Sequence, residues 1–187
     1  MIGFWIIIAI LLAILLYFIY IYNRLVSLQN ASRASWSDIE VQLKKRFNLI
    51  PNLVNVVKGY AKHESETLEK VIQARNMFSN AKTDTEKMEA AKMLNLGLNG
   101  IFAIAENYPN LKADTQFLNL QQELSSLEND IENARRYYNA VVRDYNTRRE
   151  SFPDVIIAKK YGFNFLPYFE LDDEQREEVY KTPKVEL

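Results

Sequence analysis

Apolar residues organise this chain in two ways, as one unbroken run at the start and then as a series of helical stripes. From Ile2 to Tyr22 there is no charged residue. About 21 helical positions at ~1.5 Å each match a hydrocarbon layer about 30 Å thick. Tyr17, Tyr20 and Tyr22 end the run as an interfacial aromatic belt would. A cleaved signal peptide needs a basic start, a shorter apolar core and a small-residue cleavage site, none of which fits here. The pattern predicts a retained single transmembrane helix over residues 1–22.

The stripes begin after a run of small residues, Ala31, Ser32, Ala34 and Ser35. Trp36, Ile39, Leu43, Phe47, Ile50, Val54, Val57 and Ala61 recur in steps of three and four, which marks one face of a helix. The phase survives Pro51, predicting one long helix bent there. The competing reading is two helices with a break before Pro51, because proline biases Ile50 away from helical geometry. Helical spacing resumes at Leu68, Val71, Ile72, Arg75 and Phe78, and Ser79–Lys82 reads as the first clear turn. Thr83 with Glu86 then forms a capping box for a helix whose apolar face is Met88, Ala91, Leu94, Leu98, Ile101, Phe102 and Ala105. Gly97 and Gly100 in that helix indicate either close approach of a neighbour or tolerance at a solvent face. Tyr108-Pro109-Asn110 stops it.

The last long helix starts at a cap on Asp114 or Thr115 and runs to about Glu150. Phe117, Leu120, Leu124, Leu127, Ile131, Ala134, Tyr138, Val141 and Tyr145 form a strict three-four seam of the coiled-coil kind. Short connections make the long helices antiparallel neighbours. Asp154–Tyr161 follows as a short helix closed by Gly162. Phe163, Phe165, Leu166, Pro167, Tyr168 and Phe169 are too apolar for a free tail and are broken by proline, so they predict an extended strap whose aromatics pack onto the bundle. Asp172–Leu187 is charged and expected to fray, with a short helix possible over Glu174–Tyr180. The expected fold is therefore all-α: a span at 1–22, an antiparallel bundle of three to four helices at 23–150, and a short helix with a C-terminal strap at 151–187.

Composition narrows the chemistry. Lysine and arginine total 23 against 24 for aspartate and glutamate, which offers no basic surface for nucleic acid. Without cysteine there is no disulfide, thiolate nucleophile or cysteine metal site, and His63 is the single histidine. It falls in a charged segment and reads as an exposed helix residue. No glycine-rich phosphate loop, HExxH or Glu-x-x-His motif is present, so no cofactor or metal is expected. Glu66 with Glu69 reads as a solvated face.

The candidate site is polar. Gln42, Arg46, Asn48, Asn52 and Asn55 flank the apolar face of the first soluble helix, and Glu128, Arg135 and Asn139 flank the last seam. Antiparallel helices would bring Gln42, Arg46, Asn52, Glu128, Arg135 and Asn139 into one buried network centred on Arg46 and Glu128. Arg135 and Asn139 are also placed to meet at i,i+4.

Taken together, the apolar run, Tyr22-Asn23-Arg24-Leu25, WSDIEVQLKKRFNLIPNLVNVVKGYAKHE, ENYPNLKA, SLENDIENARRYYNAVVRDYN, Phe152-Pro153 and GFNFLPYFE resemble the LemA family over nearly the whole chain. The resemblance implies a helical bundle on one membrane span, without an established catalytic activity. The functional expectation is a non-enzymatic interaction or scaffold protein at the plasma membrane, with the lipid bilayer and further copies of itself as partners. An accessory or sensor subunit for another membrane protein is the alternative. Arg24, Arg33, Lys44, Lys45 and Arg46 all follow the span, which by the positive-inside bias puts the body in the cytoplasm.

Overall fold

The computed structural model of the chain describes residues 2–169, and these are all-α. The helices are Ile2–Tyr60 (α1), Ser65–Asn80 (α2), Asp84–Asn107 (α3), the single turn Pro109–Lys112 (α4), Thr115–Glu150 (α5) and Asp154–Tyr161 (α6). The charged end after Glu170, including the segment Glu174–Tyr180, lies outside the described residues.

Of the two readings at Pro51, the continuous one is observed: α1 is one helix of 59 residues with Pro51 inside it. An interior proline costs about 3 kcal/mol, but Ile50, Leu53, Val54 and Val57 are all buried around it and hold both sides of the helix against the core. The first break comes at 61–64, ahead of the turn that the pattern suggested at Ser79–Lys82. No apolar side chain occurs between Ala61 and Leu68, so nothing anchors a helix there to a core. His63 is exposed in this break.

Two compact units divide the described residues: 2–39 with Asn133–Phe169, and Glu40–Glu132. α1 and α5 each contribute residues to both.

In the Glu40–Glu132 unit, each helix reverses on the one before. Phe47 of α1 stacks on Phe78 of α2 at 4.2 Å, and Phe102 of α3 meets Phe117 of α5 at 6.4 Å. Between these, Gly97 and Gly100 of α3 face α2. A Cβ on Gly97 would stand 2.6 Å from Val71 Cγ2, and one on Gly100 would stand 2.9 Å from Thr67 Cγ2. Close approach of a neighbouring helix is thus the reason for both glycines. The α3 start is the capping box: Glu86 N–H donates to Thr83 Oγ1, and Thr83 N–H donates to the Glu86 carboxylate. At the start of α5, Asp114 accepts from the Gln116 and Phe117 amides and from the Tyr60 hydroxyl. The Phe117 amide first, then the Tyr60 hydroxyl, holds its carboxyl below the ordinary value.

In the other unit, α1 and α5 also run antiparallel, with Trp36 against Tyr138 at 5.6 Å and the Arg148 guanidinium 5.6 Å above the Tyr20 ring. Ile21, Leu25, Tyr145, Ile157, Ala158 and Phe163 form its core. Gly162 closes α6 in the left-handed region at φ 72°, where a Cβ would be strained. Residues 163–169 continue as the strap, outside any helix. Ahead of this core, every side chain from Ile2 to Tyr17 is exposed. This part of α1 is long and apolar enough to cross a membrane.

The glycine contacts generate a graded prediction. Gly97→Ala should lower stability by roughly 1 kcal/mol, since overpacking of about 1–3 kcal/mol outweighs a helix-propensity gain of about 1 kcal/mol. Gly100→Ala, half-buried and facing only a threonine methyl, should come out near neutral. Thermal melts of the full chain in mild detergent, followed by helical circular dichroism, check the order, and a Gly97→Ala protein as stable as the parent would contradict the contact.

Candidate functional site

Arg46 sits on the flank of the α1 apolar face, where helical spacing turns it toward α5. Its Nη1 stands 2.5 Å from Oε2 of Glu128. The contact is an ion pair rather than an aligned hydrogen bond, as Oε2 lacks hydrogen-bond geometry to a donor. The two groups are unequal: the Arg46 side chain is 8% exposed and that of Glu128 39%. Both line a cleft of about 360 Å3 that α3 completes with Asn95, Leu98, Asn99 and Phe102, and α5 with Gln121, Leu124 and Ser125. Gln42 is half-buried on the same helix, with its Oε1 lacking a hydrogen-bond donor.

The other polar residues are placed differently. Asn52 is exposed, as are Asn48 and Asn55, so that side of α1 is solvated surface and Asn52 takes no part in a buried network. Arg135 and Asn139 belong to the unit built from 2–39 and 133–169, whereas Gln42, Arg46, Asn52 and Glu128 belong to the other. Arg135 and Asn139 each engage Phe169. Both serve the end of the strap: the Arg135 guanidinium lies 4.3 Å from the Phe169 ring centroid, and the Asn139 amide brackets the Phe169 backbone. Among the described residues, no group of three His, Asp or Glu side chains is placed to hold a metal ion.

The strap contacts form a regular ladder. Asn146 donates from Nδ2 to the Leu166 carbonyl at 2.8 Å and accepts the Leu166 amide at Oδ1 at 3.1 Å. Seven residues earlier, Asn139 does the same for Phe169, at 2.9 and 2.8 Å. Beside them, the Tyr145 and Tyr138 hydroxyls donate to the carbonyls of Asn164 and Pro167, each at 3.0 Å. Arg149 Nε donates to the Phe163 carbonyl at 2.8 Å. Burial raises the Tyr145 phenol above its ordinary pKa, with Arg149 and then Arg33 pulling the other way, so the hydroxyl stays a donor.

Repeat lengths explain the fit. Two turns of α5, seven residues, advance about 10.5 Å, and three residues of polyproline-like chain advance about 9.3 Å. A Tyr-Asn pair every seven residues therefore meets an extended chain every three. The strap's burial has the same period: Phe163 and Phe169 are buried and Leu166 is half-buried, while Phe165 and Tyr168 point outward. The strap aromatics thus do not all pack inward. Pro167 suits its place, having no amide to satisfy while Tyr138 takes its carbonyl. The clamp was not singled out from the sequence, although the Tyr-Asn dipeptide recurs there at 138–139 and 145–146.

Fold and geometry define an all-α protein in which one helix begins as an apolar, membrane-length segment and continues into a helical bundle, while the last long helix clamps an extended strap. The chain belongs to the LemA family, whose model matches residues 35–186. It is 28% identical over 166 residues to a protein LemA of Metamycoplasma hominis, covering 87% of this chain and 76% of that protein. It is also 25% identical over 175 residues to the magnetosome protein MamQ of Magnetospirillum gryphiswaldense, and 23% identical over 175 residues to magnetosome protein MamQ 2 of Paramagnetospirillum magneticum. These matches cover 79% and 80% of this chain, which spans 64% of the length of each MamQ protein. None of these names states a reaction.

Two predictions follow from the unequal burial and the ladder. Glu128→Ala removes one carboxylate partner of a cation that is 8% exposed and should cost roughly 2 kcal/mol, below the range for a fully buried pair because Glu128 itself meets solvent. Arg46→Met leaves a carboxylate able to turn to water and should cost less, and Arg46→Met with Glu128→Leu should cost less than the sum. Equal losses in thermal melts would contradict the asymmetry. At the strap, Asn146→Ala leaves the Leu166 amide and carbonyl without their side-chain partner, at about 1–3 kcal/mol. Asn146→Asp keeps an acceptor for the Leu166 amide but sets a carboxylate oxygen against that carbonyl. Chymotrypsin should cut after Phe165 or Tyr168 faster in both variants. Unchanged protection would show that the ladder does not hold the strap.

Proposed function

We propose that this chain is a membrane-anchored helical-bundle interaction or scaffold protein of the LemA type. In this reading it is non-enzymatic, self-assembles at the membrane, crosses the plasma membrane once and carries its body on the cytoplasmic side. The observation that supports it most is α1 itself, in which a bare apolar segment of membrane length and a bundle helix are one unbroken element. The polar side chains closest to the helix cores support it too, because Arg46 engages Glu128, and Asn139 and Asn146 engage the chain's own backbone. Such contacts fix helix register and segment position. The cytoplasmic side rests on Arg24, Arg33, Lys44, Lys45 and Arg46 following the span.

The second reading, an accessory or sensor subunit of a membrane enzyme or transporter, is favoured by the strap. A segment held through side-chain hydrogen bonds and three inward side chains is one that a partner could displace. Solubilisation in mild detergent followed by mass measurement separates the two. A homogeneous homo-oligomer is expected for the scaffold, whereas a monomer that co-purifies with one other membrane protein would replace it by the accessory role.

Sidedness has its own test. Single cysteines in place of the exposed Lys44 or Lys45, in a chain that has none of its own, should resist a membrane-impermeant thiol reagent in intact cells. Rapid labelling would reverse the orientation.

A further inference from the structure

The turn after α5 and the outer face of α6 carry apolar side chains that the fold leaves uncovered. Phe152 is 83% exposed, more than any large apolar side chain in the apolar segment of α1, and Ile156 is 50% exposed. One turn further along the same face, Lys159 and Lys160 are exposed. The opposite face of α6 is occupied, because Ile157 and Ala158 are buried against Ile21 and Leu25 of α1. Helical spacing puts Ile156 and Lys160 four apart on the outward side, with Lys159 beside them. Two bulky apolar groups, one in the turn and one on the short helix, next to two lysines are the composition of a surface that rests in a lipid interface.

The position of this face identifies what covers it. Tyr22 meets Tyr161 at 5.0 Å and Phe163 at 5.7 Å, so the C-terminal end of α6 lies beside the end of the apolar segment. The Arg148 guanidinium lies over the Tyr20 ring, and α5 runs antiparallel to α1, so Phe152 comes still nearer the apolar segment. Arg148 is itself held by Asp154 at the start of α6, at 2.5 Å. The exposed face is thus continuous with the aromatic end of the span.

We propose that Phe152, Ile156 and the lysines of α6 form a second membrane contact, seated in the headgroup layer of the same bilayer that the start of α1 crosses. Phe152 and Ile156 enter the boundary between headgroups and acyl chains, and Lys159 and Lys160 stay at phosphate level, where anionic lipid attracts them. This rests on the reading of Ile2–Tyr22 as a span. It adds a bilayer contact from the far end of the sequence and makes the α5–α6 corner sensitive to lipid composition.

Nitroxide labels on single cysteines test the proposal in the full-length chain, reconstituted in vesicles of phosphatidylcholine and phosphatidylglycerol. Phe152→Cys and Ile156→Cys are the test sites. Leu12→Cys inside the span is the lipid reference. Exposed Asp38→Cys, about 24 Å along α1 from Tyr22 at 1.5 Å per residue, is the aqueous reference. Power saturation with oxygen and with a polar nickel chelate should shift both test labels from the Asp38 value to a depth of about 5–10 Å inside the headgroup boundary. Labels at 152 and 156 that match Asp38, while Leu12 reads as lipid, would overturn this contact and leave the span intact. Labels shielded from both reagents and broadened by a neighbouring spin would overturn it in favour of a second copy on that face. A Leu12 label that reads as aqueous would remove both the span and the contact.

Discussion

A backbone laid against a helix without a helix or sheet of its own must still find partners for its buried amides and carbonyls. Residues 163–169 meet that requirement through the side chains of α5, and much of their unit depends on the arrangement. Asn139 and Asn146 each act as a substitute peptide group, donating and accepting at once. An asparagine amide is among the few side chains that can do both. With the strap fixed in that register, Phe163 completes the core around Ile21 and Leu25. Phe169 likewise lies against Trp36 at 5.9 Å and under Arg135. The α1–α5 pairing in this unit is therefore a three-part assembly with the strap as its third member.

The Glu40–Glu132 unit is specified by different means. Its helices are drawn together by ordinary apolar burial, which is non-directional. Register comes from features that tolerate few alternatives, namely the Gly97–Val71 contact and the Arg46–Glu128 pair. A glycine opposite a β-branched residue fits in one position along the partner helix. A buried guanidinium is strongly disfavoured anywhere its carboxylate is not. Both devices contribute specificity more than stability.

The sequence revealed the helices far better than it revealed the site. All eight positions of the α1 stripe from Trp36 to Ala61 are buried, because helical periodicity is imposed by the core it faces. The capping box at Thr83 and the closure at Gly162 were equally legible, since each is a local contact within a few residues. Arg46 and Glu128 could be placed near one another only by assuming antiparallel helices. The same assumption drew in Arg135 and Asn139, which flank the seam as Glu128 does but lie two to three turns further along α5, where the strap takes them. Periodicity tells which side of a helix a residue occupies, not which partner it meets there. The strap ladder was hidden for a further reason: seven-residue and three-residue spacings match only once one segment is known to be helical and the other extended. Beside the seam, Val142 is fully buried while the seam position Val141 is half-buried.

Amide hydrogen exchange across residues 163–169, in the full-length chain held in lipid, bears most directly on this account. Leu166 and Phe169 belong to no helix, yet each amide donates to a half-buried or buried asparagine. They should exchange as slowly as amides within the adjoining stretch of α5, while the amides of Phe165 and Tyr168, each just ahead of one of them, exchange faster. Uniform exchange across the strap at the rate of a solvated loop would contradict the ladder and the three-part assembly built on it.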